Sequence, residues 1–173
     1  MKLTAKHTID ASPKDFFEKI FFSREFNEAL YREGLKMKGF DIEALEDLGD
    51  AGRRKRVRVT PKQEAPGFVK KVIRGELSYV EDGTWSRSTG VYTFTTVTSV
   101  ASDRIRIAGT VEVEPLGEDR CERTVEMTIV VKVPIVGGQL ERFVGEQLKS
   151  SFGKGAEFTN RWIAEQIRGV SPS

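Results

Sequence analysis

The feature that most constrains this chain is a single apolar stripe near its end. Leu140, Phe143, Val144, Gln147, Leu148, Ser151, Phe152, Gly155, Phe158, Thr159, Trp162, Ile163 and Ile167 recur at three- and four-residue steps, the spacing that puts side chains on one face of an α-helix. Unbroken, such a helix reaches roughly 40 Å at about 1.5 Å per residue. Gly145, Gly153 and Gly155 interrupt it. Each weakens a helix by up to about 1 kcal/mol, so the glycines mark either a kink or a close approach to a neighbouring element. A rod this long with one dry face needs a broad apolar surface to lie on.

The rest of the chain supplies that surface as strands. From Lys2 to Asp10, Leu3, Ala5, His7 and Ile9 fall on one face and Lys2, Thr4, Lys6, Thr8 and Asp10 on the other, a period of two. Ser12-Pro13 then opens a helix, with a hydroxyl to cap it, proline in the first turn and Asp15 at the positive end of the dipole. Phe16, Phe17, Ile20 and Phe21 form its apolar side, and a second short helix is predicted over Arg24 to Arg32, ending at Gly34. From about Leu35 to Val133 the period of two returns. Turn signals at Gly49-Asp50-Ala51-Gly52, Pro61 to Gly67, Glu81-Asp82-Gly83, Ala101-Ser102-Asp103 and Gly117-Glu118-Asp119 divide this stretch into six strands. The last two alternate most cleanly, Ile105 to Val113 and Thr124 to Val131, as antiparallel strands with one wet face do. The facing of the second and fifth strands is ambiguous from the pattern.

Strand, two short helices, six strands and one long helix make an α+β chain. A seven-stranded antiparallel meander must cover its concave face, and the long helix is the element large enough to do so. A curved sheet gripping a straight rod leaves a gap between them. We expect one domain over residues 1–168, with 169–173 as a loose tail.

That element order, with the opener Ile9-Asp-Ala-Ser-Pro-Lys-Asp-Phe-Phe17, resembles the START-like (SRPBCC) superfamily of polyketide cyclases and lipid-transfer proteins. Val131 to Phe143, reading Val-Lys-Val-Pro-Ile-Val-Gly-Gly-Gln-Leu-Glu-Arg-Phe, and Phe158-Thr-Asn-Arg-Trp162 are similar to a bacterial branch of uncharacterised function. The resemblance covers essentially the whole chain. It implies a helix-grip fold with an internal cavity for an apolar or amphipathic ligand, and it carries over no catalytic residue.

Composition narrows the partners. Lysine and arginine number 28 against 26 acids, a net charge of +2, so no nucleic-acid partner is expected. The lone cysteine, Cys121, rules out an intrachain disulfide and suits a reducing, cytoplasmic setting. The opening residues alternate rather than form the apolar run of a signal peptide, and no stretch approaches the roughly 20 apolar residues of a membrane span.

Catalytic templates fail by counting. His7 is the sole histidine and Cys121 the sole cysteine, too few for a common zinc site. Gly153-Lys154-Gly155 lacks the earlier glycine and the following Ser or Thr of a phosphate loop. No metal, cofactor or catalytic residue is expected. His7 should point inward, either satisfied by its neighbours or touching a ligand, and with Arg123 it is the inward polar candidate for chemistry. The run Arg53-Arg54-Lys55-Arg56-Val57-Arg58 places Arg54, Arg56 and Arg58 on one face and Val57 and Val59 on the other. The arginines either pair across strands with acids such as Glu43, Glu46 and Asp47, or with Lys62, Lys70 and Lys71 form a landing patch for transient membrane contact. Phe17 and Phe21 are read as core, Phe22 and Phe26 either as core too or as a gate at the mouth of the cavity, and Cys121 as a small buried hydrophobe.

The expected wall is His7, Val57, Tyr79, Tyr92, Phe94, Ile107, Val111, Met127, Phe143, Phe152 and Phe158. The expected function is binding or transport of a lipid, sterol-like, isoprenoid or polyketide-like molecule. Two alternatives stand beside it: a cyclase, dehydratase or hydrolase using the same space, and an interaction protein whose cavity its own side chains fill.

Overall fold

The computed structural model describes residues 1–62, 65–167 and 169. Its strands are β1 (Lys2–Ile9), β2 (Gly39–Asp47), β3 (Gly52–Thr60), β4 (Tyr79–Ser86), β5 (Tyr92–Thr98), β6 (Ile105–Gly117) and β7 (Arg120–Val131). They form one seven-stranded antiparallel sheet in the order β1-β7-β6-β5-β4-β3-β2. Six strands meander, and β1 joins the far edge against β7, with His7 opposite Arg123 and Ile9 opposite Cys121.

Between β1 and β2 lie α1 (Pro13–Asp15), running into a π-turn over Phe16–Phe21, and α2 (Arg24–Ala29), running into another over Leu30–Gly34. Ser12 caps the first, its Oγ accepting from the Asp15 amide at 3.2 Å, and Ser23 caps the second by the same bond to Phe26. α4 (Gly137–Trp162) continues as a π-turn over Ile163–Ile167 and lies mainly against β1, β7 and the Leu30–Gly34 turn. It is one uninterrupted helix, so its glycines mark no kink, and of the three interrupting the stripe only Gly145 marks a close approach. A Cβ on Gly145 would sit 2.5 Å from the Met1 methyl. In the same way, Gly34 leaves room for the Phe158 ring.

Three expectations need correction. Glu81-Asp82-Gly83 is no turn but the middle of β4. Gly83 is there because the Tyr92 ring lies over it, with Tyr92 Cζ 2.3 Å from where a Cβ would be. The chain turns instead over Arg87–Gly90, where Gly90 takes φ 71° and its amide bonds the Ser86 carbonyl at 2.8 Å. The loop after β3 does not end at Gly67 but runs on to Ser78 and contains α3 (Gly67–Val72). Finally, a bulge between Ile42 and Ala44 reverses the facing of β2 halfway along, so no single parity describes that strand. Of the expected tail, residues 170–173 lie outside the described residues, as do Arg168 and the Ile167 side chain.

Candidate functional site

Register assigns each strand's inner face. Opposite one another across the sheet stand Arg53, Lys55, Val57 and Val59 of β3, then Tyr79, Glu81, Gly83 and Trp85 of β4, and Tyr92, Phe94, Thr96 and Thr98 of β5. Ile105, Ile107, Gly109, Val111 and Val113 of β6 follow, then Arg123, Val125, Met127, Ile129 and Val131 of β7. This face is covered unevenly.

One part is packed shut. The Phe17 ring stacks on Trp85 at 5.2 Å, and Phe21 meets Tyr92 edge-on at 4.7 Å. Phe16, Phe17, Phe22 and Phe26 are buried, and Phe158 packs on Phe26 and Trp162. Aromatic pairs at these distances add about 0.5–1.5 kcal/mol each beyond the area they bury.

The other part is left ajar. Ile107 and Val113 point inward from β6 yet stay half-buried. Along α4, Phe143, Val144, Leu148 and Phe152 sit on the core and are also only half-buried. Phe68 of α3 meets Phe143 edge-on at 6.4 Å across this side. Here an apolar lining has no complete cover of its own.

Two polar groups interrupt the apolar interior. At the edge of the packed part, Lys55 is buried at 4% exposure. Its Nζ donates to Asn27 Oδ1 at 3.3 Å and stands 3.7 Å from the centre of the half-buried Phe21 ring. Asn27 is itself buried and held by two bonds from its Nδ2, to the Phe21 and Ser23 carbonyls. Beside it the Tyr92 hydroxyl donates to Glu81 Oε1 at 3.0 Å. No carboxylate reaches Lys55 within ion-pair distance among the described residues. Burial therefore brings the amine down to about 8, opposed by the charge of Glu81. Burial first, and Glu81 second, hold the phenols of Tyr31 and Tyr92 well above their ordinary range.

Between β1, β7 and α4, Arg123 Nη2 lies 3.3 Å from His7 Nδ1 and donates to the Phe152 carbonyl at 3.0 Å. Burial, then the Arg123 charge, lower His7 below its usual 6.5. The neutral ring accepts at Nδ1 and keeps its proton on Nε2, which excludes Nδ1 as a free base. Arg123 Nε is buried without a hydrogen-bond partner among the described residues.

Of the expected wall, His7, Val57, Tyr79, Tyr92, Phe94, Ile107, Val111 and Met127 all face inward. They do not form one surface. Val57 and Tyr79 belong to a separate small cluster with Phe40, Val59 and Tyr31, where Tyr31 stacks on Phe40 at 4.3 Å. Tyr92, Phe94, Val111, Met127 and Phe158 are buried in the main core, while Ile107, Phe143 and Phe152 lie on the open side. Phe22 and Phe26 are buried, as the core alternative has it, and Phe21, expected in the core, packs against it as a half-buried ring. Gln147 of the predicted stripe is exposed. Lys55, Asn27 and Glu81 were not anticipated. Lys55 carried a legible signal, because it shares parity with Val57 and Val59; Glu81 was hidden by the mistaken turn.

On the convex face the arginines of β3 are paired. Arg54 bonds Asp82 at 2.7 Å, Arg56 bonds Glu43 at 2.7 Å and Asp82 at 3.0 Å, and Arg58 bonds Glu43 at 2.8 Å. A groove of about 330 Å³ beside them is lined by Arg56, Arg58, Thr95 and Val97 among others. Cys121 is buried and its thiol pushed up to about 11 by desolvation. Gly153-Lys154-Gly155 lies within α4. Among the described residues no three metal-ligating side chains gather, and no helix is long and apolar enough to cross a membrane.

A curved antiparallel sheet closed over one long C-terminal helix is the helix-grip architecture of START-like proteins. Solved structures share it: a START superfamily protein from Mycobacterium smegmatis (17% identity, 94% of this chain and 98% of that one, TM-score 0.57) and the Zhui aromatase/cyclase from Streptomyces sp. R1128 (10%, 98% of each, 0.65). Norcoclaurine synthase from Thalictrum flavum matches as well (13%, 96% and 87%, 0.64). The chain belongs to the family described as protein of unknown function (DUF2505), which matches residues 4–163. An uncharacterised protein of Mycobacterium tuberculosis is 31% identical over 155 residues, 83% of this chain and 89% of its own.

Proposed function

We propose that the chain binds a hydrophobic small molecule between the sheet and α4, against the side lined by Ile107, Phe143, Leu148 and Phe152. The observation that carries this is the incomplete burial of inward-facing apolar side chains on both β6 and α4. Apolar surface left facing a concavity gains about 25 cal/mol for each Å² that a ligand covers. The unpartnered Arg123 Nε and the Nε2–H of His7 supply donors for a polar head at the far end. A lipid, isoprenoid, sterol-like or polyketide-like molecule has the required shape, and the lone cysteine suits a carrier working in the cytoplasm.

Native mass spectrometry of the purified protein, followed by organic extraction, tests this reading. We expect a one-to-one added mass that is absent from Phe152→Trp, whose larger ring occupies the open side while the fold persists. Equal uptake by Phe152→Trp would refute the placement. A second reading, an interaction protein with a self-filled interior, draws on the aromatic packing of Phe16, Phe17, Phe22 and Trp85. It is favoured if neither a co-purifying molecule nor an added apolar probe is retained.

A further inference from the structure

We infer that Lys55 is a nucleophilic amine that captures an aldehyde or ketone as a Schiff base, so that the ligand of this fold carries a reactive carbonyl. The inference rests on the binding reading above and extends it: Lys55 lies on β3, across β5 and β4 from the Ile107 side, so the carbonyl end of the ligand must reach past those strands to the half-buried Phe21 ring.

Every other lysine of the chain is exposed. Lys55 alone is inside, with a buried amide oxygen and two aromatic rings around its amine and no counter-ion in contact among the described residues. A buried lysine left without a carboxylate is costly to keep, and a substitution that removed it would be simple. Desolvation also leaves a far larger neutral fraction at neutral pH than a surface lysine has, and the neutral amine is the nucleophile. Asn27 fixes the nitrogen by accepting one N–H, a bond that does not use the lone pair of the neutral amine. The cover over the amine is Phe21, half-buried and the last residue of a π-turn; such turns recur at functional sites.

The chemistry balances without a co-reactant. The Nζ lone pair adds to the carbonyl carbon, and the carbonyl π pair moves to oxygen, which takes a proton. The carbinolamine then loses that hydroxyl as water, with a second proton, and the nitrogen's remaining N–H electrons close the C=N bond. One amine and one carbonyl give one imine and one water. The Tyr92 phenol, bonded to Glu81, has its ring centre 5.7 Å from Nζ and is the proton-bearing pair beside the amine. Tyr92 is thus assigned as a positioning and proton-relaying residue.

The test is reductive trapping with cinnamaldehyde and sodium cyanoborohydride at pH 7, read by intact mass and peptide mapping. We expect one adduct on Lys55, forming at least about tenfold faster than on any exposed lysine, as the larger neutral fraction requires. Lys55→Arg, checked for fold by circular dichroism, should lose it. Phe21→Ala should speed trapping several-fold by uncovering the amine, and Tyr92→Phe should slow it and alter its pH profile. Adducts confined to exposed lysines, or the same adduct pattern in Lys55→Arg, overturn the inference. If cinnamyl alcohol binds in calorimetry but Lys55 stays unmodified, the covalent step fails and the binding reading stands. If neither compound engages the protein, both fail.

Discussion

The two halves of the concave face obey different rules. Over β3 to β5, Phe16, Phe17, Phe22, Trp85 and Tyr92 interlock, with Phe21 and Tyr79 half-buried beside them. Along β6 and the first half of α4, Ile107, Val113, Phe143, Val144 and Leu148 are of the same kind and remain half-buried, beside the buried Ile105, Val111 and Leu140. Since apolar side chains are present on both sides, hydrophobicity does not separate them. What differs is the cover: the π-turn after α1, with Phe22 just beyond it, lays four phenylalanines on one part, whereas α4 lies mainly on β1 and β7 and α3 reaches over with a single ring. One part is close-packed core, and in the other apolar side chains stay only partly covered.

Paired truncations test that division most strongly. Phe17→Ala should cost about 3–5 kcal/mol in urea unfolding, as expected for an aromatic removed from a close-packed core. Phe143→Ala should cost about 1 kcal/mol, because its side chain is already in part solvated. Equal costs would erase the distinction between the two sides.

Lys55 sharpens it next. Its amine titrates near 8 in the folded chain and near 10.5 when unfolded. Between those values the unfolded state holds more protons, so stability rises with pH across the window from 8 to 10.5 and is lowest below it. Lys55→Met should therefore be more stable than the wild type at pH 7 by about 1–3 kcal/mol, the upper figure following from about 1.4 kcal/mol per pKa unit, with attraction to the Phe21 face reducing it. The variant's unfolding midpoint should also lose that rise with pH. Destabilisation of Lys55→Met at pH 7 would mean that the amine is a structural partner of Asn27. The smallest effect is expected at Gly153→Ala. A Cβ there meets nothing nearer than His7 Nε2 at 3.8 Å, so helix propensity should raise the thermal midpoint by the equivalent of less than about 1 kcal/mol.

Much of this was legible because one physical period dominates each segment. The stripe on α4, apart from the exposed Gln147, the alternation in β1, β6 and β7 and the Ser12-Pro13 cap each follow one period, and pattern and structure coincide there. The pattern failed where two demands met on one residue. Gly83 resembles a turn residue, but it is glycine so that Tyr92 can lie across it. β2 has no constant facing because its bulge changes it. The basic run on β3 hid the one lysine that turns inward among arginines that turn out. Which apolar residues would remain uncovered was not legible at all, since coverage depends on where α1, α3 and α4 come to rest and not on what any strand contains.

A fluorescence titration of 1-anilinonaphthalene-8-sulfonate into the wild type and Phe152→Trp tests the open side most directly. Saturable one-to-one binding by the wild type, lost in a Phe152→Trp variant of unchanged circular dichroism, is the expected result. Absent binding, or equal binding by both proteins, would contradict a ligand site between β6 and α4.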